Sequence, residues 1–88
     1  MKKDLDYYMS LPYAIEVVPI PDSQGGGYTA QLPQLGRFAF VGDGETIEEA
    51  ISDLEYFKRE RFVAYLKDGI EIPEPKPETV QRNIRYLE

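Results

Sequence analysis

The stretch "GDGETIEEAISDLEYFKRERFVAYLKDG", from Gly42 to Gly69, decides the fold because it contains the clearest secondary-structure element of the chain. Thr46 followed three residues later by Glu49 forms a capping box, which marks the start of a helix. Gly69 is the residue type that ends helices in a left-handed conformation. We therefore predict one long helix from Ile47 to Asp68.

Apolar residues along this segment recur at the helical period, so one side of the helix is predicted to pack on the rest of the domain. Two cations, Lys58 and Arg61, lie near the middle of this stripe. Their stems could lie along a sheet with the charged heads at its rim. Alternatively, the helix overshoots the sheet and presents them to another chain. The predicted stripe comprises Ile47, Ala50, Ile51, Leu54, Phe57, Phe62 and Tyr65.

The side opposite the stripe carries apolar residues as well. Tyr56 and Val63 lie seven residues apart, which places them on one helix face. Scattered exposed apolar residues are normal, but an aligned pair indicates a packing surface. Together with Glu60, they are our candidate partner contacts on the helix, and Glu16 is the candidate on the sheet.

Three segments before the helix have the composition of strands. Tyr13–Ile20, Tyr28–Leu32 and Arg37–Val41 are rich in β-branched and aromatic residues and follow one another through short loops. An antiparallel meander is the simplest arrangement of such strands. The predicted fold class is α+β, a small antiparallel sheet with one long helix packed on one face.

Two glycine clusters flank the strands. Phosphate-binding glycine loops lead from a strand into a helix and carry Lys with Ser or Thr. Gly25–Gly27 lead into a strand instead, and Gly42–Gly44 precede acidic residues rather than Lys. We interpret both clusters as turns.

The two ends of the chain give weaker signals. Leu5, Tyr8 and Met9 have helical spacing, which predicts one or two short turns that dock on the core or fray. The segment 79–88 fits a strand or a helix, and we favour a strand that pairs within the sheet or with a neighbouring chain.

Composition narrows the function. The 88 residues form at most one domain, with a net charge of -6 and no Cys or His. Thiolate and imidazole chemistry, including metal ligation by those groups, is thereby excluded. No segment resembles a signal peptide or a membrane span, so we expect a cytoplasmic protein. The acidic balance favours a basic protein partner over nucleic acid.

The sequence offers little for catalysis. Glu16 is the carboxylate in a predicted strand interior, and we expect no catalytic, metal or cofactor-binding residue and no enzymatic activity. A metal-dependent nuclease would use Glu16 and Asp43 around its ions. A nucleic-acid-binding regulator would need a clustered basic patch, for which the candidates are Lys58, Arg59, Arg61 and Arg82.

The order "YAIEVVPI…GGGYTAQLPQLG…GDGETIEEAI…DGIEIPEP" resembles the HicB family of type II toxin–antitoxin systems. The resemblance implies a partial ribonuclease-H-like fold with the order β-β-β-α-β, lacking the catalytic carboxylates. It also implies a homodimer or homotetramer that binds a small basic mRNA-interferase toxin, HicA, and covers its active site. The matching positions are Tyr28, Leu32, Pro33, Leu35, Gly36, Gly42, Asp43, Thr46, Glu48, Glu49, Ala50, Gly69, Ile72, Pro73 and Pro75.

On this interpretation the chain is a single HicB-like domain over 1–88. It has an N-terminal extension at 1–12, a core at 13–76 and a C-terminal strand or tail at 77–88. Many family members carry an additional DNA-binding domain after the core. Pro77–Glu88 is too short for such a module, so we expect no direct DNA binding.

Overall fold

The computed structural model describes residues 2–36, 39–75 and 84–86, with backbone alone for the last three. In chain order, a short helix precedes three strands, a long helix and a final strand. These are α1 Leu5–Met9, β1 Ile15–Pro19, β2 Tyr28–Gln31, β3 Val41–Gly44, α2 Ile47–Asp68 and β4 Ile84–Tyr86. The architecture is α+β, as predicted.

The strands form one sheet in the order β3-β2-β1-β4. The first three are antiparallel, and β4 pairs with β1 in parallel. Parallel pairing needs a crossover connection, which α2 supplies. Of the C-terminal strand predicted within 79–88, residues 84–86 lie in the sheet, and 79–83 and 87–88 lie outside the described residues.

The long helix α2 lies chiefly over β2 and β3 on one face of the sheet. Val17, Ala30 and Gly42 are neighbours across the three antiparallel strands and are buried beneath it. None of the helices in the described part of the chain has the length and apolar character needed to cross a bilayer.

The prediction for the third strand is wrong. The strand is Val41–Gly44 rather than Arg37–Val41, so the glycines assigned to a turn lie in the sheet; Arg37 and Phe38 lie outside the described residues. A β-carbon on Gly42 would lie 2.6 Å from the Leu54 Cα, and one on Gly44 would lie 2.5 Å from the Ala50 amide nitrogen. Glycine is present because the α2 backbone approaches β3 too closely for any side chain.

The other glycine cluster is a turn, as predicted. Gly25, Gly26 and Gly27 have φ values of 110°, 73° and 87° and connect β1 to β2. Glycine adopts this left-handed region at little cost, whereas other residues are strained there.

Both ends of α2 are where the sequence predicts them. The Thr46 hydroxyl accepts the Glu49 amide at 3.1 Å, while the Glu49 carboxylate accepts the amide of Glu45 at 3.0 Å. At the other end, the Ile70 amide donates to the Tyr65 carbonyl at 2.8 Å around Gly69. Local hydrogen bonds therefore satisfy backbone groups that a helix leaves unpaired at its ends.

The buried side of α2 differs from the predicted stripe. Ala50, Leu54, Lys58 and Phe62 are buried at a spacing of four residues. A row with this spacing is inclined to the helix axis, so the side of α2 that faces the core changes gradually along the helix. Phe57 lies about 100° from Lys58 on the helix. It is 43% exposed, and its placement in the core is therefore wrong.

The two cations of the stripe have different environments. Lys58 is only 4% exposed, and its ammonium lies 3.1 Å from the Glu55 carboxylate. Lys58 is therefore not available to another chain. Arg61 is exposed, and its guanidinium lies 5.6 Å from the centre of the Phe40 ring.

The core is centred on the ring of Phe62. The rings of Tyr8, Tyr13 and Phe40 lie 6.1, 6.1 and 5.5 Å from it, in tilted or edge-on geometry. These rings come from α1, the segment before β1 and the segment before β3. The short N-terminal helix is thus docked on α2 by an aromatic cluster.

The chain after α2 is attached to the N-terminal segment. The Tyr13 hydroxyl donates to the Pro73 carbonyl at 2.6 Å, and the Tyr7 hydroxyl donates to Glu74 at 2.9 Å. The Lys3 ammonium lies 2.9 Å from the other oxygen of Glu74. We call these contacts the clasp; they precede β4 in the chain.

The close approach of α2 to β3 predicts that a methyl group added at Gly42 will destabilise the fold. Gly42→Ala should lower the free energy of unfolding by about 3 kcal/mol, because the methyl overlaps the backbone of Leu54. Gly69→Ala is the control, since open space surrounds that position and only its φ of 73° opposes alanine. We expect it to cost about 1 kcal/mol. Urea unfolding measures both, and equal losses would contradict the close approach.

The clasp predicts a dependence of stability on pH. The hydrogen bonds from Lys3 and Tyr7 lower the pKa of Glu74 below 4.5. The hydrogen bond to Glu74 in turn raises the pKa of Lys3 above 10.5. The contribution of Glu74 is therefore present above pH 4.5 and lost as pH falls through its lowered pKa. That of Lys3 is lost as pH rises through its raised pKa.

This dependence can be measured with Glu74→Gln, compared with Glu71→Gln as an exposed residue of equal charge. In urea unfolding, Glu74→Gln should be less stable than Glu71→Gln near neutral pH. The difference should disappear in acid once Glu74 is protonated. Identical pH profiles for the two variants would show that the Glu74 contacts of the clasp have no energetic role.

Candidate partner-binding surface

The outer side of α2 carries exposed apolar side chains. Tyr56 and Val63 are 60% and 47% exposed, and Glu60 lies exposed between them. The ring of Phe57 contacts the ring of Tyr56 at 5.3 Å between centres. We call these four residues the outer patch. The helix residues predicted from the sequence therefore lie on one accessible face.

An open groove of about 490 Å³ borders the outer patch between β3 and the first half of α2. Much of its wall is apolar, and four carboxylates surround it. Tyr56 belongs both to the groove and to the outer patch, so the two form one continuous surface. The lining residues are Asp43, Gly44, Glu48, Glu49, Ser52, Asp53 and Tyr56.

Asp53 joins the two walls of the groove, because its side chain bonds α2 to the edge strand β3. Its Oδ2 accepts the backbone amide of Asp43 at 2.9 Å, and the Asp43 Oδ1 accepts the Thr29 hydroxyl at 2.9 Å. An amide at a sheet edge would otherwise be open to pairing with another strand. These bonds fix the positions of two of the four carboxylates.

Within the described residues, no cation is paired with the negative charge of the groove. The ion pairs found within 2–36 and 39–75 are Lys3–Glu74 and Lys58–Glu55, and neither involves a carboxylate of the groove. Clefts lined by one sign of charge concentrate ligands of the opposite sign. This surface is therefore suited to a partner that combines cations with apolar area.

Glu16 does not belong to this surface. It lies in β1 beside Val17, which is fully buried under α2, so Glu16 faces the opposite side of the sheet. It is half-buried, and its Oε1 accepts the Gln31 side-chain amide at 2.6 Å. The structure brings Tyr56, Glu60 and Val63 together and separates Glu16 from them.

Apart from Tyr56, the sequence argument did not identify the groove residues as partner contacts, and it placed Phe57 in the core. A signal was available within the helix, because Glu49, Asp53 and Tyr56 follow one another at four- and three-residue spacing and share a face. No comparable signal existed for Asp43, since its place beside Asp53 depends on the approach of β3 to α2.

The residues of the two alternative functions are not brought together either. Glu16 and Asp43 lie on strands separated by β2, more than about 9 Å apart at the backbone. No group of three or more carboxylates in the described ranges is arranged to hold a metal ion. In the basic patch Lys58 is buried, and Arg59 and Arg61 lie about 200° apart on the helix; Arg82 lies outside the described residues.

Comparison of the chain with protein-family models, with curated proteins and with solved structures finds no match.

The exposure of Phe57 predicts a contrast between two phenylalanines of the same helix. Phe62→Ala should lower the free energy of unfolding by about 3–5 kcal/mol, because it removes the ring at the centre of the aromatic core. Phe57→Ala should cost about 1 kcal/mol or less, as for a surface substitution. Urea unfolding of both variants measures the difference. A loss of stability for Phe57→Ala as large as that for Phe62→Ala would indicate that Phe57 is part of the core.

Proposed function

We propose that this chain is a non-catalytic, HicB-like antitoxin module that neutralises a small basic mRNA-interferase toxin of the HicA type by covering its active site. The observation that carries the proposal is the continuous surface formed by the acidic groove and the outer patch. The motif order of the sequence supplies the identity of the proposed partner.

Charge explains how such a surface would inhibit a ribonuclease. An enzyme that cleaves mRNA holds the phosphate backbone with Lys and Arg side chains. Those same cations complement Asp43, Glu48, Glu49 and Asp53, which have no cation beside them in the described part of the chain. Binding of the groove would therefore compete directly with binding of RNA. Complementary charge also speeds the encounter of the two proteins.

The outer patch would supply the apolar part of the interface. Exposed aromatic and aliphatic side chains with polar groups at the rim are typical of protein interfaces. Tyr56 and Val63 are separated by about 10 Å along α2, and the groove extends this surface back to Glu48, for a total of about 22 Å. A helix face of this length can extend across an active-site cleft.

The fold is in keeping with the proposal. The order β-β-β-α-β and the parallel pairing of β4 with β1 support the suggested relation to ribonuclease-H-like domains. The proposal includes assembly into a homodimer or homotetramer and action in the cytoplasm, where mRNA is present. Light scattering of the purified chain measures the assembly.

The direct test combines the chain with a small basic protein encoded beside it, and the absence of any such protein would count against the proposal. We expect the two to co-purify, and we expect RNA cleavage by the partner to stop when the chain is added in equal amount. Persistent cleavage with the chain in excess would overturn the proposal. RNA cleavage by the chain alone with Mg²⁺ or Mn²⁺ would overturn it in favour of the nuclease alternative.

A matched pair of variants tests the surface. Val63→Lys places a cation in the outer patch and should weaken binding of the basic partner about tenfold. Ile70→Lys makes the same change of charge at a residue of similar exposure, 49% against 47%, beyond the end of α2. It should leave binding close to that of the unmodified chain. If both variants weaken binding of the basic partner equally, the outer patch is not part of the interface.

A further inference from the structure

Tyr56 is the residue at which the apolar and acidic parts of the surface meet. It is 60% exposed, more than any other large apolar side chain in the described residues. The Phe57 ring stands at 76° to it, in an edge contact. This contact supports the Tyr56 ring from the side of the outer patch, while Tyr56 also lines the acidic groove.

Carboxylates occupy the turns of α2 that precede Tyr56. Asp53 lies three residues before it and Glu49 lies seven before it, so both share its side of the helix. The known hydrogen bonds occupy Oδ2 of Asp53 and Oε1 of Glu49. A carboxylate has two oxygens and about four acceptor positions, so both groups can still accept from a ligand.

An aromatic ring beside carboxylates is the combination that favours a guanidinium group. Arginine stacks its planar head on an aromatic face and directs paired N–H donors at a carboxylate. Lysine offers a point charge without this planar geometry. The apolar wall of the groove would also contact the three methylenes of an arginine stem.

We infer that the groove is an arginine-recognition site, in which an arginine of a basic protein partner stacks on Tyr56 and is held by the carboxylates of Asp53 and Glu49. This inference rests on the proposed function, because it names the side chain by which the basic partner engages the surface. The ligand is a protein arginine, and a free polyamine is an outcome of the test.

The probe is a capped pentapeptide with two arginines, compared with its lysine and citrulline counterparts. In an NMR titration, the arginine peptide should shift the ring resonances of Tyr56 and the amides that line the groove. The lysine peptide should bind about threefold more weakly, since it lacks the stacked planar contact. The citrulline peptide, which is neutral, should not bind.

Variants separate the ring from the charge. Tyr56→Leu keeps an apolar side chain and should weaken the arginine peptide about threefold, whereas Tyr56→Phe should bind it as the unmodified chain does. Glu48→Gln removes a charge of the groove and should weaken binding about twofold. Glu71→Gln, an exposed residue outside the groove, should have a smaller effect.

Two results overturn the inference. One is an equal response to arginine, lysine and spermine, which would make the groove a general negative patch. The other is a set of shifts centred outside the groove. A titration in which arginine binds best and Tyr56→Leu weakens it supports the inference.

Measurements with the basic partner distinguish this inference from the proposed function. If Val63→Lys weakens the partner but Tyr56→Leu does not, the proposed function stands and the arginine site is overturned. If no basic partner is inhibited while the arginine peptide binds at Tyr56, the proposed function fails and the arginine site is supported.

Discussion

The approach of the α2 backbone to β3 is the constraint on which the rest of this structure depends. At Gly42 and Gly44 the helix and the strand are so close that a β-carbon would overlap the helix backbone. This contact lets Asp53 reach the amide of Asp43 and so protects the edge of the sheet. It also creates the groove, because the two walls of the groove are the elements that meet there.

A second set of contacts holds the remainder of the chain around α2. The ring of Phe62 contacts Tyr8 near the start of the N-terminal half and Phe40 near its end. The clasp connects that half to the segment after the helix. The buried row runs at an angle across α2, so the opposite side of the helix stays uncovered along its length. A domain with one helix layer on its sheet therefore presents Tyr56, Phe57 and Val63 to other molecules.

The surface and the fold are thus consequences of the same packing. A small domain buries a limited share of its surface, and its long helix has two sides of which the sheet can cover one. The carboxylates around the groove make this part of the uncovered side acidic. This combination of exposed apolar area and unbalanced charge is the physical basis of the proposed binding function, and it needs no reactive side chain.

The sequence alone determined the features that depend on neighbouring residues. Both ends of α2 were predictable because Thr46, Glu49 and Gly69 act through hydrogen bonds within a few residues. The first two strands and the turn at Gly25–Gly27 were predictable for the same reason. Tyr56, Glu60 and Val63 could be placed on one face from helical spacing alone.

Tertiary structure decided the rest, because those features depend on contacts between distant segments. The sequence around Gly42 and Gly44 is typical of a turn. These glycines lie in a strand because α2 passes too close to β3 for a side chain at either position. Phe57 lies outside the core because the buried row crosses the helix at an angle set by its partner, while Lys58 lies on the packed side, where its stem was expected. Asp43 and Asp53 form one groove for the same reason: periodicity describes one element at a time, and the distance between two elements is decided by how closely their backbones can pack.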